Sequence, residues 1–355
     1  MMVARPLTAS CPSQAADTDM RIESFNSPDA FVSLRPEWND LLRRSASDTL
    51  FLTWEFQSTW WAHFGGGLEL RLLTARGDDG ALLAIAPLYV ERDAADRARL
   101  RLIGGVEVAD YLDFIVATGD ARECISAFLT ALCAAPDWHV LDLRNIPAAS
   151  ATREVAAAGA SASGLSFASR VEEVCPVVPL SASFEAYLES LDKKQRHEIR
   201  RKIRKAYEEA EVRWYCVDAT HDLSQAVEQF VDLHQRSKAG KDEFMTPAMI
   251  AFFHALARAT FDAGWLELAF IFVNGRPAAT YFNFVYNGST LCYNSGYDPL
   301  AYSALSPGIV LLSHLIEHAI VQHRTIFDFL QGNETYKYRM GAKDTQVFQL
   351  TAERS

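Results

Sequence analysis

A group of acid, base and hydroxyl side chains lies near the C-terminus, within and after the apolar run IFDFL. Asp328 belongs to this run, and Glu334, Tyr336 and Lys337 follow it in the segment GNETYKY. Acyl transfer to an amine requires a base that takes the proton and a donor that stabilises the oxyanion or the leaving group. Glu334 or Asp328 could act as the base and Tyr336 as the donor. Each residue singly also suits a structural role, and their convergence at a strand end indicates a site.

The segment Leu305–Ile309 has the residue types of a helix N-terminus. Ser306 suits the N-cap position, Pro307 suits the first helical position, and Gly308 lets the backbone approach a ligand. The free N–H groups and the dipole at such a terminus favour an anion. We predict that Ser306, Gly308 and Ile309 bind a ligand, although the same residue types also make an ordinary helix start.

The run CYNSGYD, residues 292–298, is a third candidate. Tyr293 is an alternative donor to Tyr336, and Ser295 and Gly296 extend the candidate ligand site. A glycine within a strand marks a bulge or the close approach of a ligand. Packing of the aromatic residues in the core explains the run equally well.

Residues 192–205 carry eight positive and two negative side chains, a net charge of +6 in a chain of net charge -11. As a helix, the segment would present cations on most of its surface. We predict that Arg196, Arg200, Arg201 and Arg204 clamp the phosphates of a cofactor, an RNA or an anionic lipid head group. A solvated helix at a domain junction accounts for the charges as well.

A metal site is not predicted. His314, Glu317 and His318 match the H-x-x-E-H pattern, in which two histidines one helical turn apart can bind zinc. However, no convincing downstream glutamate follows, and the segment suits a packing helix.

Composition limits the class of protein. A chain of 355 residues is long for one core and suits two domains. The acidic balance argues against a general nucleic-acid binder. The longest apolar stretch, IVLLSHLIEHAIV, is too short and too polar to span a bilayer. The six scattered cysteines indicate reduced thiols of a cytoplasmic protein; they are Cys11, Cys124, Cys133, Cys175, Cys216 and Cys292. We predict that residues 1–20 form a disordered leader without a signal peptide.

The elements that would position these residues recur in two halves. The second half predicts the order β-α-α-β-β-β-α-β-α-β, with hairpin turns at Asn274-Gly275 and Asn287-Gly288. The first half repeats much of this order, and WHVLDLRNIP and TIFDFLQGNE occupy corresponding places. We predict an α/β fold with a mixed sheet and two similar domains, 21–179 and 180–355. One larger mixed domain is the alternative.

This element order is that of the GNAT fold, and the sequence resembles the GNAT acyltransferases of the CelD-like group associated with cellulose biosynthesis. That group is related to the Fem-type transferases, which carry two GNAT-like domains. The resemblance rests on landmarks after residue 30: Phe51-Leu52-Thr53, Trp60-Trp61, Phe64-Gly65, Ala86-Pro87-Leu88-Tyr89, Asp110-Tyr111-Leu112-Asp113, the segment 193–205, Leu233-His234, Ser306-Pro307-Gly308, and Phe327-Asp328-Phe329 through Lys337.

The resemblance implies tandem GNAT-like domains, the first one diverged, that transfer an acyl group from a thioester. The donor would be acyl-CoA, a co-substrate and not a permanently bound cofactor, with its pyrophosphate at the Ser306 helix start and its pantetheine arm between the fourth and fifth strands. The acceptor would be an amine or hydroxyl of a small molecule or of a cell-envelope or polysaccharide precursor.

The sequence departs from ordinary GNAT enzymes because the basic, glycine-rich pyrophosphate loop is absent. An acyl-carrier protein or an aminoacyl-tRNA, held by the basic segment, is therefore an alternative donor. A Fem-like aminoacyl-tRNA-dependent transferase and a non-catalytic accessory protein of exopolysaccharide biosynthesis are the alternative functions.

Overall fold

One mixed β-sheet runs through both halves of the chain. The computed structural model describes residues 20–162, 164–237, 241–300 and 302–354; the predicted leader lies outside these residues except for Met20. Within them the sheet has thirteen strands: β1 (Arg21–Phe25), β2 (Glu69–Arg76), β3 (Leu82–Arg92), β4 (Ala98–Leu102), β5 (Ile115–Val116), β6 (Val140–Pro147), β7 (Ser166–Pro179), β8 (Val212–Cys216), β9 (Leu266–Val273), β10 (Arg276–Tyr286), β11 (Ser289–Tyr297), β12 (Ile326–Asp328) and β13 (Lys343–Glu353).

Helices and strands follow each other in the predicted order in the second half, and the described residues of the first half repeat much of this order. The helices are α1 (Asp29–Arg43), α2 (Trp54–Phe64), α3 (Ala121–Ala134), α4 (Ala151–Ala162), α5 (Phe184–Ser190), α6 (Lys193–Glu209), α7 (Leu223–Arg236), α8 (Lys241–Phe244), α9 (Pro247–Asp262), α10 (Pro307–Val321) and α11 (Thr335–Arg339). The predicted α/β fold with a mixed sheet is confirmed.

The two halves exchange their final strands. β13, the last strand of the chain, lies between β6 and β7 and pairs antiparallel with both. β7, the last strand of the first half, pairs antiparallel with β12 of the second half. The strands therefore run β1-β2-β3-β4-β6-β13-β7-β12-β11-β10-β9-β8, and β5 pairs with β3. The two halves share one sheet, whereas the chain boundary at 179/180 stays a prediction.

The segments WHVLDLRNIP and TIFDFLQGNE form β6 and β12, which take equivalent positions in the two halves of the sheet. β6 pairs in parallel with β4, and β12 pairs in parallel with β11. In the first half, β4 is a short strand of five residues. β4 ends at Leu102, because Gly104 and Gly105 turn the chain at φ 124° and 62°. A loop therefore carries Asp110 and Tyr111 to the second half.

Helices cover both faces of the second-half sheet. Phe282 and Phe284 of β10 pack with α7 and α9, and Tyr281 packs with α10 on the opposite face. The halves also meet through α2 and α9, where the rings of Phe64 and Phe252 have centroids 5.1 Å apart. Both faces of the strands that form the candidate site are thus held by packed helices.

The stretch Ser303–Val321, which contains α10, is long and apolar enough to cross a membrane by length and composition. Of this stretch 56% is buried inside the protein. Leu311, Leu312, Leu315 and Ile316 are fully buried against the sheet and α6. α10 therefore has the environment of a core helix.

Ending the chain at Ala342 removes β13, and we expect both halves to lose structure. β6 and β7 would each lose a strand neighbour, and the buried Val347 and Leu350 would be removed from the core. Amide hydrogen exchange across Val140–Pro147 measures this effect in the half that contains no deleted residue. Lys343→Ala, an exposed substitution at the start of β13, is the control. Undiminished protection of β6 in the truncated chain would contradict the exchange of strands.

Candidate active site

A gap opens between β11 and β12 at Asp328. The two strands pair only over Ser289–Leu291 and Ile326–Asp328, whereas β11 continues to Tyr297. Beyond Asp328 the chain follows β7 instead: the Phe329 N–H donates to Pro176 O at 2.9 Å. The strands diverge because β7 holds one of them. The end of β11 consequently has no strand neighbour on this edge within the described residues.

A bulge at Tyr293 fixes which side chains face each side of this gap. Asn294 pairs with Phe282 and Cys292 with Asn283, so Tyr293 is the extra residue. Its ring packs on Phe253 and Phe284, and its hydroxyl donates to Val108 O at 2.7 Å. Tyr293, predicted as part of the ligand site, therefore joins β11 to the first half.

A cavity of about 420 Å³ lies on the opposite face, at the start of α10. Five predicted residues line it together: Ser295, Ser306, Gly308, Ile309 and Tyr336. Tyr281, Tyr297, Ser303 and Pro307 complete its wall. A Cβ atom added to Gly308 would meet no atom within 4 Å, so this glycine leaves space at the helix start. The cavity has the size of a small-ligand pocket.

Ser306 is the N-cap of α10 without acting as a side-chain cap. It has left-handed backbone angles, φ 53° and ψ 50°, and its hydroxyl caps no backbone N–H. Its carbonyl instead accepts from Ile309 N and Val310 N. Ser306 thus occupies the predicted N-cap position, in a left-handed conformation that costs about 1–2 kcal/mol for a residue with a Cβ. Such strain is frequent at functional sites.

Gly296 lies against α7. A Cβ atom there would be 2.4 Å from His234 N and 2.5 Å from Leu233 C. The close approach of a helix backbone explains this glycine, whereas Ser295, its neighbour in β11, lines the cavity. Gly296 is not among the residues that line the cavity, and its predicted ligand-binding role stays a prediction.

A buried and a half-buried carboxyl group, Asp328 and Asp110, lie at the end of β12. Asp328 Oδ1 accepts from Leu330 N at 2.7 Å, and Oδ2 accepts from the Tyr111 hydroxyl at 2.9 Å. Burial raises the pKa of Asp328 to about 7. Asp110 lies nearby, and its Oδ1 accepts from Gln331 N at 3.0 Å. Burial raises the pKa of Asp110 to about 6.

Lys337 fixes the loop that follows these groups. Its side chain is buried, and Nζ donates to the carbonyl oxygens of Leu330, Gln331 and Gly332 at 3.3, 2.6 and 3.1 Å. Nζ also lies 2.9 Å from Glu334 Oε2. Leu330 has φ 55°, an unusual value for a branched side chain, which these bonds stabilise. The geometry gives Lys337 a loop-holding position; a catalytic role for it stays a prediction.

Glu334 and Tyr336 differ in their surroundings. The Glu334 side chain is 59% exposed and paired with Lys337, so it lies at the surface of the candidate site. Tyr336 lines the cavity and packs edge-on against Phe329. Burial raises its pKa far above the ordinary value, so its hydroxyl stays protonated. Tyr336 thus has the properties of a hydrogen-bond donor in the cavity.

The basic segment forms α6, which packs against α10 and the turn before it. Three of the four predicted clamp residues are already paired with carboxylates: Arg200 with Glu185, Arg201 with Glu198 and Arg204 with Glu208. Arg196, the fourth, has no ion pair within the described residues, and neither have Lys193 and Lys194. Free positive charge is therefore concentrated at the N-terminal turn of α6.

The H-x-x-E-H histidines have aromatic and ionic partners. His314 stacks on Trp214 and hydrogen-bonds to Tyr207. His318 approaches Glu267, and these two residues and Cys216 place their ligand atoms within 4.8 Å of one another. Arg324 already lies 2.6 Å from Glu267 and compensates its charge. We therefore propose no metal here.

Comparison with known proteins supports the interpretation of this region. Residues 193–338 match the family model described as an acetyltransferase (GNAT) domain, which spans α6 to α11. No curated protein matches the chain. The match confirms the predicted GNAT domain and, with it, the prediction of an enzyme of the N-acyltransferase class.

Solved structures extend the fold similarity over both halves. FemX superposes with a TM-score of 0.64 at 11% identity, over 89% of this chain and 95% of FemX. The C-terminal domain of a putative lysylphosphatidylglycerol synthetase from Agrobacterium fabrum gives 0.56 at 10% identity, over 93% of each chain. L-PGS from Bacillus licheniformis gives 0.55 at 12% identity, over 90% of this chain and 91% of its own. At these identities the similarity concerns the fold.

Some site residues were not predicted. Asp110 and Tyr111 were noted only as landmarks of the resemblance, because their position at the gap depends on a loop that crosses between the halves. Lys205 donates to Ala304 O at 3.1 Å in the turn before α10. Its place in a long basic run did not distinguish it from its neighbours.

Gly296→Ala is expected to destabilise the protein by about 1–3 kcal/mol, because the added methyl group collides with the α7 backbone. Chemical denaturation measures the change. Gly66→Ala, at a site where a Cβ meets no atom within 4 Å, is the control. Equal stability of the two variants would contradict the packing role of Gly296.

Asp328→Asn is expected to flatten the dependence of stability on pH between about 4 and 7. The carboxyl has a higher pKa in the folded state than in the unfolded state, so the folded state binds the proton more tightly. The contribution of Asp328 to stability therefore falls as pH rises through this window and stays low above it. The free energy of unfolding at pH 5 and pH 8 tests this for both proteins; an unchanged difference would contradict it.

Proposed function

We propose that the protein transfers an acyl group from a thioester donor, acyl-CoA, to an amine or hydroxyl group of an acceptor. One observation carries the proposal: the cavity at the start of α10 lies beside the gap between β11 and β12, where the buried carboxyl groups lie. The GNAT domain match covers the residues that line this cavity.

The donor fits the cavity by size and chemistry. About 420 Å³ suits the pantetheine arm, and Ser295, Tyr281 and Tyr336 offer polar atoms along its wall. The N-terminus of α10 favours phosphate groups through its N–H groups and its dipole. Lys205, which donates to Ala304 O in the preceding turn and lies 3.8 Å from Glu209 Oε2, places a positively charged group beside this terminus.

The reaction needs few groups. The acceptor nitrogen attacks the thioester carbonyl carbon, the C–N bond forms and the C–S bond breaks. A carboxylate near the end of β12 takes the amine proton, and the protonated Tyr336 donates to the departing thiolate. Asp110 and Asp328 both lie at this strand end, whereas Glu334 is exposed and already paired.

Gly308→Leu is expected to weaken binding of CoA and acetyl-CoA at least tenfold without loss of stability. The new side chain has free space around its Cβ and would occupy the cavity. Isothermal titration calorimetry measures the affinity. Gly66→Leu, which also introduces a leucine into free space, is the control. Equal affinity of the Gly308→Leu variant and the unaltered protein would contradict this donor site.

A second candidate is a Fem-like transferase that uses an aminoacyl-tRNA donor. The unpaired cations Lys193, Lys194 and Arg196 at the start of α6 favour it. If a tRNA binds there, Lys194→Glu with Arg196→Glu should abolish its binding, which should also weaken steeply with salt. Arg204→Glu, at an already paired position, should have a smaller effect. Binding of tRNA that both variants retain equally would exclude this role for α6.

The acceptor and the cellular setting belong to the same proposal. The resemblance to the CelD-like group favours a cell-envelope or polysaccharide precursor, or a small molecule, and a cytoplasmic enzyme. An acyl-carrier protein is a further donor that the cations of α6 could hold. A screen of acceptors for acetyl-CoA-dependent thiol release separates the candidate acceptors from one another.

A further inference from the structure

One loop of the first half spans the gap in the second. This loop connects β4 to β5, and the Val108 carbonyl accepts from Tyr293 on β11. Asp110 binds Gln331, beyond β12, in two ways: its Oδ1 accepts from the backbone N–H at 3.0 Å, and its carbonyl accepts from the side-chain amide at 3.1 Å. Tyr111 donates to Asp328 at the end of β12. The loop therefore contacts both strands where they diverge.

The two carboxyl groups at the gap differ in whether an oxygen atom is free to accept a proton. Asp328 is only 7% exposed, and both of its oxygens already accept hydrogen bonds. Asp110 is half-buried, and its Oδ2 has no hydrogen-bond partner within the described residues. Asp110 can therefore accept a proton from a bound acceptor, whereas Asp328 would first have to lose a partner.

The loop and the cavity lie on opposite faces of β11. Tyr293, which the loop contacts, faces the aromatic core with Phe253, and Ser295 faces the cavity. A thioester that enters the gap from the cavity would thus meet an acceptor on the side of Asp110. We propose that Asp110 is the general base of the acyl transfer, supplied by the first half to the site of the second.

This assignment rests on the proposed function. In it, the Asp110 carboxylate takes the proton that the acceptor nitrogen loses as the C–N bond forms. The thiolate released from the C–S bond takes a proton from Tyr336, and the proton on Asp110 passes to solvent as Tyr336 is reprotonated. Asp328 and Tyr111 act as positioning residues, because they hold the loop against β12.

The electrostatic setting supports this role. Burial raises the pKa of Asp110 to about 6, so the group is a stronger base than an ordinary carboxylate and is still ionised at neutral pH. Nearby Lys337 opposes the rise. The other titratable groups that interact with Asp110 are Cys175, Tyr293 and Asp328. Burial raises the pKa of each of these three groups as well.

Asp110→Asn tests the assignment with acetyl-CoA and two probe amines, glycinamide and hydroxylamine, thiol release being the signal. We expect kcat for glycinamide to fall about 10²–10⁴-fold. We expect a smaller fall for hydroxylamine, which is unprotonated at neutral pH, and an unchanged Kd for acetyl-CoA. The acidic limb of the kcat/KM profile near pH 6 should disappear, and Asp110→Glu should restore part of the rate.

Glu107→Gln, an exposed change in the same loop, is the control and should keep the unaltered activity. An Asp110→Asn enzyme that keeps the rate with glycinamide, or keeps the acidic limb, overturns the assignment and leaves the proposed function intact. If the unaltered protein releases no thiol with either amine, the proposed function fails and the assignment fails with it.

Discussion

The pairing of β12 with β7 is the contact on which the rest of the site depends. β7 belongs to the first half, yet it holds β12 through Ile326–Asp328 and then continues to hold the chain through Phe329 and Gly332. This pairing draws β12 away from β11 and opens the gap. Because β13 in turn fills the place beside β6, neither half can provide this geometry without the other.

Buried charge and backbone strain gather around that gap. Burial raises the pKa of Asp328, the Asp110 carboxylate adds to this rise, and the Lys337 ammonium group partly offsets it. The same ammonium group binds three successive carbonyl groups, which stabilises the left-handed Leu330. Such an arrangement costs stability and is retained where a carboxylate has to be a good base at neutral pH.

Much of this architecture could be predicted from the sequence. Hairpin turns with Asn-Gly, the Ser306-Pro307 helix start and the recurring element order are local patterns, and local patterns survive in the folded chain. Five residues predicted as site residues line the cavity together: Ser295, Ser306, Gly308, Ile309 and Tyr336.

The remainder depends on contacts between distant parts of the chain. The exchange of β7 and β13 leaves no sign in either strand's own sequence. The sequence alone predicts that Gly296 binds a ligand. The structure shows that a Cβ atom at this position would lie 2.4 Å from the α7 backbone. Asp110 is 221 residues from Gln331, and only the folded structure brings them together. The ion pairs of α6 likewise become visible only in the fold: Arg200 pairs with Glu185 of α5, and Arg201 and Arg204 pair with glutamates of α6. Of the predicted clamp, only Arg196 has no ion pair within the described residues.

The central claim is that the gap between β11 and β12 receives an acyl thioester from the α10 cavity. The most direct measurement is a crystal structure of the full chain with CoA bound. The account predicts the pyrophosphate at the N-terminus of α10, near Gly308, and the pantetheine thiol at the gap, between Tyr336 and Asp110. Density for CoA at another surface, with the α10 cavity filled only by water, would contradict it.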